Sequence, residues 1–325
     1  MTFVILGGTG QIGTVLQHDL RRLGHRVIVV SRSGEGADAV AWDGRTVGPW
    51  AQAIDGADVV VNLAGRTVNC RYTERNLREM MTSRVDSTRV VGEAIARAAR
   101  PPRLWLQMST ATIYAHRFDA PNDEHTGVIG GQEPDAPAYW RRSIEIAQAW
   151  EAALDAAPTP QTRKVALRTA MVMSPDPGGV FDVLRNLARA GLGGAIGGGA
   201  QFVSWIHHAD FCRAVEFVVE REDLGGAINF ASPHPLPQRE MMAALRQALH
   251  VPIGLPATKW MAAIGAFVLR TDTELVLKSR RVVPARLLEA GFEFLFPTWP
   301  EAAADLLRPA TEGLLDTAGR DAPAH

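Results

Sequence analysis

A glycine-rich turn between an apolar run and an amphipathic segment is the feature that most constrains the fold of this chain. Residues 3–6 are apolar, and Gly7, Gly10 and Gly13 follow them at once. The apolar run predicts a buried strand, and the apolar spacing over 12–23 predicts a helix. Backbone N–H groups and the dipole at the start of a helix favour a bound phosphate. The stretch therefore predicts a dinucleotide, held by Gly7, Thr9, Gly10, Gln11, Ile12 and Gly13.

The overall composition limits the partners and the cellular compartment that we expect for this chain. A formal net charge of −1 argues against nucleic acid or an anionic membrane as the main partner. Cys70 and Cys212 lie far apart, which predicts neither a disulfide framework nor a metal site. We expect no signal peptide, because the first strand begins at residue 2, and no apolar run reaches the roughly 18 residues of a membrane span. These features predict a cytoplasmic protein with a small-molecule substrate, and they are compatible with a homodimer.

Strand and helix patterns alternate along the first half of the chain. Apolar runs predict strands over 26–31, 58–65, 104–109 and 164–169, and helical patterns cover 74–97 and 139–156. Alternation with short links is typical of a doubly wound parallel sheet. The predicted fold class is α/β, a Rossmann-type doubly wound parallel sheet with a small C-terminal α+β substrate domain.

The regular alternation of strand and helix patterns ends after residue 169. A glycine-rich stretch over 178–199 predicts a flexible segment that closes over a ligand, and Asp210 is predicted to cap a helix over 212–220. The remaining elements are a strand over 226–231, helices near 239–249 and 259–269, and a short strand over 294–296. The predicted domains are 1–174 with 207–232 for the cofactor and 175–206 with 233–307 for the substrate, followed by a frayed tail over 308–325.

The end of the second strand bears on the choice of nicotinamide cofactor. Ser31, Arg32 and Ser33 stand where an NAD-specific fold carries an acidic residue for the ribose 2′-hydroxyl. An arginine there accommodates a 2′-phosphate, so Ser31 and Arg32 predict NADP(H). The alternative interpretation is a solvated loop arginine.

The spacing of the three glycines resembles that of short-chain dehydrogenases/reductases, and further stretches resemble one branch of that superfamily. The chain is similar over about residues 1 to 307 to the atypical extended members known as epimerase-family proteins, which carry a C-terminal module of unassigned function. The matching stretches are 71–73, 82–88, 149–153, 191–197, 204–207 and 282–287. The resemblance implies an NADP-binding Rossmann fold. It also implies that Asn62, Leu63, Ala64 and Gly65 line the adenine-side ribose, with Arg84 among the cofactor contacts.

The catalytic pair that most short-chain reductases use is missing. Their tyrosine exchanges the proton of the alcohol, and a lysine four residues later lowers the pKa of that tyrosine. This chain has three tyrosines and three lysines, and none of them has that spacing. If the register is set on Glu151, the tyrosine position falls on Ser143 and the lysine position on Ala147.

The remaining candidates for catalysis follow the strand over 104–109. In extended members the position of Thr110 is that of the catalytic hydroxyl, with Ser109 beside it, and the position of Tyr114 lines the pocket. Tyr139 is a second candidate proton donor, with a helix-start residue as its alternative interpretation. Without a lysine partner, the donor tyrosine is expected to keep a pKa of about 10. Tyr72 belongs to a matching stretch of unassigned role.

Three further residues are candidates for substrate contact. Arg168 ends a strand beside the cofactor site and is expected to meet substrate or Asp210. Trp205 and His207 lie in a matching stretch, where packing and a structural link are the alternative interpretations.

Two classes of function fit these residues best. The first is an NADP(H)-dependent oxidoreductase that reduces a small carbonyl, imine or conjugated substrate, which the intact glycine turn and Ser109 with Thr110 favour. The second is a catalytically diverged NADP(H)-binding protein that acts as a redox sensor or partner, which the missing lysine favours. A nucleotide-sugar epimerase is third, because that chemistry depends on the tyrosine–lysine pair.

Overall fold

Seven parallel strands form the main sheet of the molecule. The computed structural model describes residues 1–36, 38–134, 136–258, 260–261 and 272–308. The strands are β1 Thr2–Leu6, β2 Arg26–Ser31, β3 Ala39–Ala41, β4 Val59–Asn62, β5 Leu104–Thr110, β6 Arg163–Thr169 and β10 Gly226–Phe230. Their order is β10-β6-β5-β4-β1-β2-β3, so the chain reverses its direction of winding between β1 and β4. This arrangement confirms the predicted doubly wound α/β fold.

Helices cover both faces of this sheet. They are α1 Gln11–Arg22, α2 Glu74–Arg97, α3 Arg141–Asp155 and α5 His208–Glu220. Apolar side chains of α1 and α5 pack on one face, and those of α2 pack on the other. Helix α2 has the predicted bounds because Thr73 caps its first turn and two prolines follow it closely.

The later half of the chain adds small elements around a second core. They are β7 Met171–Met173, α4 Val180–Arg189, β8 Phe202–Val203, β9 Trp205–His207, β11 Leu236–Pro237, α6 Gln238–Ala248, α7 Glu274–Leu277, α8 Ala285–Glu289 and α9 Trp299–Leu306. Phe181, Trp205, Met241 and Trp299 are buried together in this second core. The predicted flexible stretch over 178–199 therefore contains a packed helix, α4, because Phe181 anchors it.

Several sequence predictions need correction or fall outside these elements. Asp210 does not cap α5, because the helix begins two residues earlier and the Nδ1 atom of His207 accepts the Ala209 amide at 3.2 Å. The stretch over 294–296 is not a strand. The predicted helix over 259–269 and the tail over 308–325 lie outside the described residues, apart from residues 260, 261 and 308. Across the described ranges, no helix combines the length and the apolar character that a membrane crossing requires.

The carboxylate of Asp210 holds the stretch over 294–296 in place. Its side chain is fully buried and accepts the amides of Leu295 at 2.7 Å and Phe296 at 2.9 Å. These amides bond to a carboxylate rather than to a neighbouring strand, which explains why the predicted strand is absent.

Replacing Asp210 with alanine is expected to destabilise the protein. The change leaves the Leu295 and Phe296 amides without their acceptor, and an unpaired buried polar group costs about 1–3 kcal/mol. Urea unfolding of Asp210→Ala and of a Glu220→Ala control should show the loss of stability in the first variant only. Equal unfolding midpoints would show that Asp210 does not anchor this segment.

Candidate functional site

The turns after β1 and β4 meet at the carboxyl edge of the sheet. Gly7 has a φ of +74°, and a Cβ at that position would lie 2.8 Å from the Cα of Ala64. The Oδ1 atom of Asn62 accepts the Ala64 amide at 3.1 Å, which fixes the second turn. In open α/β sheets, ligands bind in the crevice where the strand order reverses, and this is that crevice.

Helix α1 begins beside this crevice. Among the described residues no side chain caps this helix at Gly10, and its first turn has no acidic residue. A Cβ at Gly10 would meet only the Gly7 carbonyl oxygen, at 3.8 Å, so space is open beside this backbone. At Gly13 a Cβ would overlap the backbone of Gly8, so Gly13 seats the helix against the turn. The two glycines thus have different physical roles.

The other predicted residues of the turn are arranged around this opening. Thr9 is exposed, and Ile12 packs on the core. The amide nitrogen Nε2 of Gln11 is buried and has no hydrogen-bond partner within the described ranges. Gly179, which precedes α4, leaves room for it, since a Cβ there would overlap the Gln11 amide. The start of α4 therefore lies against the start of α1.

Arg84 is a buried cation beside the second turn. Its side chain packs against Gly65, where a Cβ would lie 3.2 Å from Cζ, and its guanidinium lies 4.9 Å from the Trp150 ring centroid. Nη1 donates to the Met80 carbonyl at 3.1 Å, and no carboxylate of the described chain pairs with it. Burial lowers the pKa of Arg84 to about 10, which the nearby Tyr72 partly opposes. Such a cation favours an anionic or polar ligand.

The two residues predicted to select the cofactor lie at the end of β2. Ser31 is buried, and its Oγ accepts the Gly34 amide at 3.2 Å. Arg32 is exposed, and none of the described carboxylates forms an ion pair with it. Its guanidinium is therefore free to reach a phosphate.

Ser109, Arg168 and Tyr114 belong to one partly buried network. Glu151 accepts hydrogen bonds from Ser109 Oγ at 2.6 Å and from Arg168 Nε and Nη2 at 2.9 and 2.8 Å. Arg168 Nη1 donates to the Tyr114 hydroxyl at 2.9 Å, and that hydroxyl donates to Asn229 at 3.0 Å. The expected contact between Arg168 and Asp210 is wrong, because Glu151 and Tyr114 occupy the guanidinium.

The network also changes the acidity of Tyr114. Burial raises the pKa of Tyr114, and Arg168 only partly opposes the shift. The expected pKa of about 10 is therefore wrong for this tyrosine. The prediction that Tyr114 or Tyr139 faces the nicotinamide stays a prediction.

The remaining candidates are spread over the structure. Thr110 is half-buried at the end of β5, and its Oγ1 accepts the Thr112 amide at 3.1 Å. Tyr139 is exposed, with its hydroxyl 2.6 Å from Thr273 Oγ1. Trp205 is fully buried in the second core, and His207 Nε2 lies 3.3 Å from Asp305 Oδ2. Trp205 and His207 therefore have structural contacts of their own, and their substrate role stays a prediction.

A second polar cluster near the end of β5 was missed from the sequence. We call it the 72–280 cluster, and its members are Tyr72, Thr112, Ser143, Glu274, Lys278 and Arg280. Ser143 donates to Glu274 Oε2 at 2.5 Å, and Lys278 Nζ lies 3.4 Å from Glu274 Oε1. Both Glu274 and Lys278 are almost wholly buried. The one available signal was the i,i+4 spacing of these two residues, which is also common on solvated helices.

Lys278 also lines a cavity beside this cluster. The cavity has a volume of about 310 Å³, and its lining includes Gly131, Trp140, Arg141, Ile144 and Lys278. Lys278 Nζ also donates to the Thr112 carbonyl at 2.9 Å. Burial lowers the pKa of Lys278 to about 8, although Glu274 opposes the shift. Lys278 therefore contacts both the cavity and the residues that follow β5.

Removing the charge of Glu151 is expected to destabilise the fold. Glu151→Gln weakens two charge-assisted hydrogen bonds to Arg168 and one from Ser109, and each such bond contributes about 1.5–3 kcal/mol. Chemical unfolding should be compared with Glu145→Gln, which changes an exposed carboxylate of the same helix. If the two variants unfold at the same denaturant concentration, the network does not stabilise the sheet edge.

Two family models match the sequence. Residues 3–231 match the NAD dependent epimerase/dehydratase family. Residues 259–306 match a domain of unknown function, DUF1731. The two matches follow each other in the order that the resemblance implied, with the nucleotide-binding part first and the C-terminal module of unassigned function second.

Relatives and solved structures agree with these matches. The epimerase family protein SDR39U1 of Bos taurus is 31% identical over 94% of this chain and 100% of its own. A crystal structure of human SDR39U1 (isoform 2) with NADPH has a TM-score of 0.82 at 29% identity, covering 94% of this chain and 99% of that one. A crystal structure of the nucleoside-diphosphate sugar epimerase from Corynebacterium glutamicum has a TM-score of 0.75 at 26% identity, and the match covers 98% of this chain and 60% of that one.

Proposed function

We propose that this chain, which belongs to the NAD dependent epimerase/dehydratase family, binds NADP(H) and reduces a small carbonyl, imine or conjugated substrate. NADPH supplies a hydride, so the protein needs to bind it, orient a substrate and deliver a proton. The human protein SDR39U1, which this chain resembles in fold over nearly its whole length, was crystallised with NADPH. That likeness supports the choice of cofactor.

The open start of α1 at the switch point is the observation that carries the cofactor assignment. Backbone N–H groups at an uncapped helix start suit a pyrophosphate, and the space beside Gly10 leaves room for it. Arg84 adds a buried cation without a carboxylate partner in the described structure. The residues present therefore fit a dinucleotide.

The proposed cofactor contacts are those predicted from the sequence. They are Gly7, Thr9, Gly10, Gln11, Ile12, Gly13, Ser31, Arg32, Asn62, Leu63, Ala64, Gly65 and Arg84. Arg32 would meet the 2′-phosphate, and the Thr110 hydroxyl at the end of β5 would hydrogen-bond the reacting oxygen of the substrate. The substrate would lie between the cofactor domain and the segments 175–206 and 233–307.

A diverged NADP(H)-binding protein is the second candidate. The absence of a lysine four residues after any tyrosine favours it. Nucleotide-sugar epimerisation is compatible with the names of relatives and comes third. Titration with NADPH, followed by a screen of aldehydes, ketones, imines and enones for NADPH consumption, separates the reductase from the other two candidates. Binding without any consumption would contradict the reductase and leave the second and third candidates, because an epimerase consumes no cofactor.

Arg32→Ala is expected to weaken NADPH binding more than NADH binding. The substitution removes a charged contact to the 2′-phosphate, which contributes about 1.5–3 kcal/mol when it is well formed. Isothermal titration of both proteins with both cofactors measures the difference. Tighter binding of NADH than of NADPH by the unchanged protein would contradict the assignment.

Gly10→Val is expected to abolish NADPH binding in a folded protein. The side chain would enter the open space beside the turn, where the pyrophosphate is placed. Gly13→Ala is the matched variant, and it should lower thermal stability because its Cβ overlaps the Gly8 backbone. Normal NADPH affinity in folded Gly10→Val would show that the pyrophosphate does not contact this turn.

A further inference from the structure

Tyr72 lies beside the residue of helix α3 that stands at the catalytic tyrosine position of short-chain reductases. Ser143 stands at the tyrosine position in the register set on Glu151, and it is too short to replace a phenol. Tyr72 comes from the loop before α2, is half-buried and is within hydrogen-bonding reach of the Ser143 side chain. The phenol is thus supplied to this position by a different element of the chain.

A continuous line of polar atoms leads from Tyr72 to the cavity beside Lys278. Ser143 Oγ donates to Glu274 Oε2 at 2.5 Å, and Lys278 Nζ lies 3.4 Å from Glu274 Oε1. Arg280 Nε donates to Thr112 Oγ1 at 3.1 Å, which ties the line to the end of β5. Each link from Tyr72 to Lys278 is within hydrogen-bonding distance of the next.

Building on the proposed reductase function, we propose that Tyr72 is the proton donor of the reaction and that Ser143, Glu274 and Lys278 return a proton to it from the cavity. The tyrosine acts on the substrate, and the other three act through it. These residues take the place of the tyrosine–lysine pair that α3 lacks. The substrate is a compound with a reducible C=O or C=N bond.

The proposed steps balance in atoms and charge. When the substrate carbon accepts a hydride, the π electron pair of the C=O bond moves to oxygen. The O–H bond of Tyr72 then breaks as that oxygen takes the proton, which leaves an alcohol and a phenolate. Glu274 takes a proton from the Lys278 ammonium on Oε1, and its protonated carboxyl group turns to pass this proton to Ser143, which gives its own proton to the phenolate. Lys278 regains its proton from a hydronium ion of the solvent by way of the cavity, so one hydride and one proton are consumed.

The groups around Tyr72 favour donation of its proton to the substrate over abstraction of a proton from it. Burial raises the pKa of Tyr72, and Glu274 and Asp272 raise it further, while Arg280 and Ser143 oppose them. The phenol therefore stays protonated until an alkoxide forms beside it. Lys278 is faced by Glu274, Arg280 and Glu133, and its lowered pKa suits exchange with water.

Tyrosine NMR tests the placement without any substrate. The chain contains three tyrosines, so ¹³Cζ-tyrosine labelling gives three signals, which single Tyr→Phe variants assign. We expect the Tyr72 signal to shift on addition of NADP⁺ and on Ser143→Ala. NADP⁺ binding is measured in the same sample by isothermal titration. If NADP⁺ binds and the Tyr72 signal does not shift, the inference fails and the proposed cofactor stands. If NADP⁺ does not bind, the proposed function fails first.

Kinetics with 4-nitrobenzaldehyde and NADPH test the relay. We expect Tyr72→Phe to lower kcat by about 100-fold or more, with NADPH affinity unchanged. Lys278→Met and Lys278→Arg should both lower kcat with little change in KM, because arginine keeps the charge but does not release its proton. Glu274→Gln should also lower kcat, and its matched control is Glu145→Gln, which changes an exposed carboxylate of α3. Full turnover in Lys278→Arg would overturn the relay, and full turnover in Tyr72→Phe would overturn the donor.

Discussion

The close approach of two backbone turns is the constraint on which this structure depends. The turn after β1 and the turn after β4 touch, and a single Cβ at Gly7 would push them apart. The strand order makes this contact necessary, since β1 and β4 are neighbours and the chain leaves them toward opposite sides. Gly13 then seats α1 against the first turn, which aims its N–H groups at the crevice. The cofactor assignment thus rests on backbone geometry more than on any side chain.

The parts of the fold that were predicted correctly are those with a clear local pattern of apolar residues in the sequence. Helix α2 was predicted over 74–97 because its apolar positions recur at helical spacing and two prolines follow it. The parallel strands were predicted because they are continuous apolar runs, as expected for strands buried on both faces. Helix α4 was missed because glycines flank it on both sides. Its anchor, Phe181, is identified only by the core that receives it.

The candidate site was predictable only where its residues lie close together in the sequence. The glycine turn and the end of β2 are short, contiguous segments. The 72–280 cluster joins residues from the loop before α2, the first turn of α3 and the segment around α7, and no local spacing links them. Asp210 shows the same limit, because its partners at 295 and 296 lie far away in sequence. A carboxylate near a helix start suggests a cap, and only the tertiary structure shows which amides it bonds.

The buried pair of Glu274 and Lys278 is better explained by chemistry than by stability. Burying two charges costs solvation that their attraction only partly repays, and apolar residues of similar volume would stabilise such a position equally well or better. Here the carboxylate also accepts a hydrogen bond from Ser143, and Lys278 also lines the cavity. Burial lowers the pKa of this lysine to about 8, so its ammonium loses its proton more readily than that of an exposed lysine. The segment around α7 contacts Thr112 just after β5, and in the proposed mechanism it would connect the C-terminal module to the reacting groups.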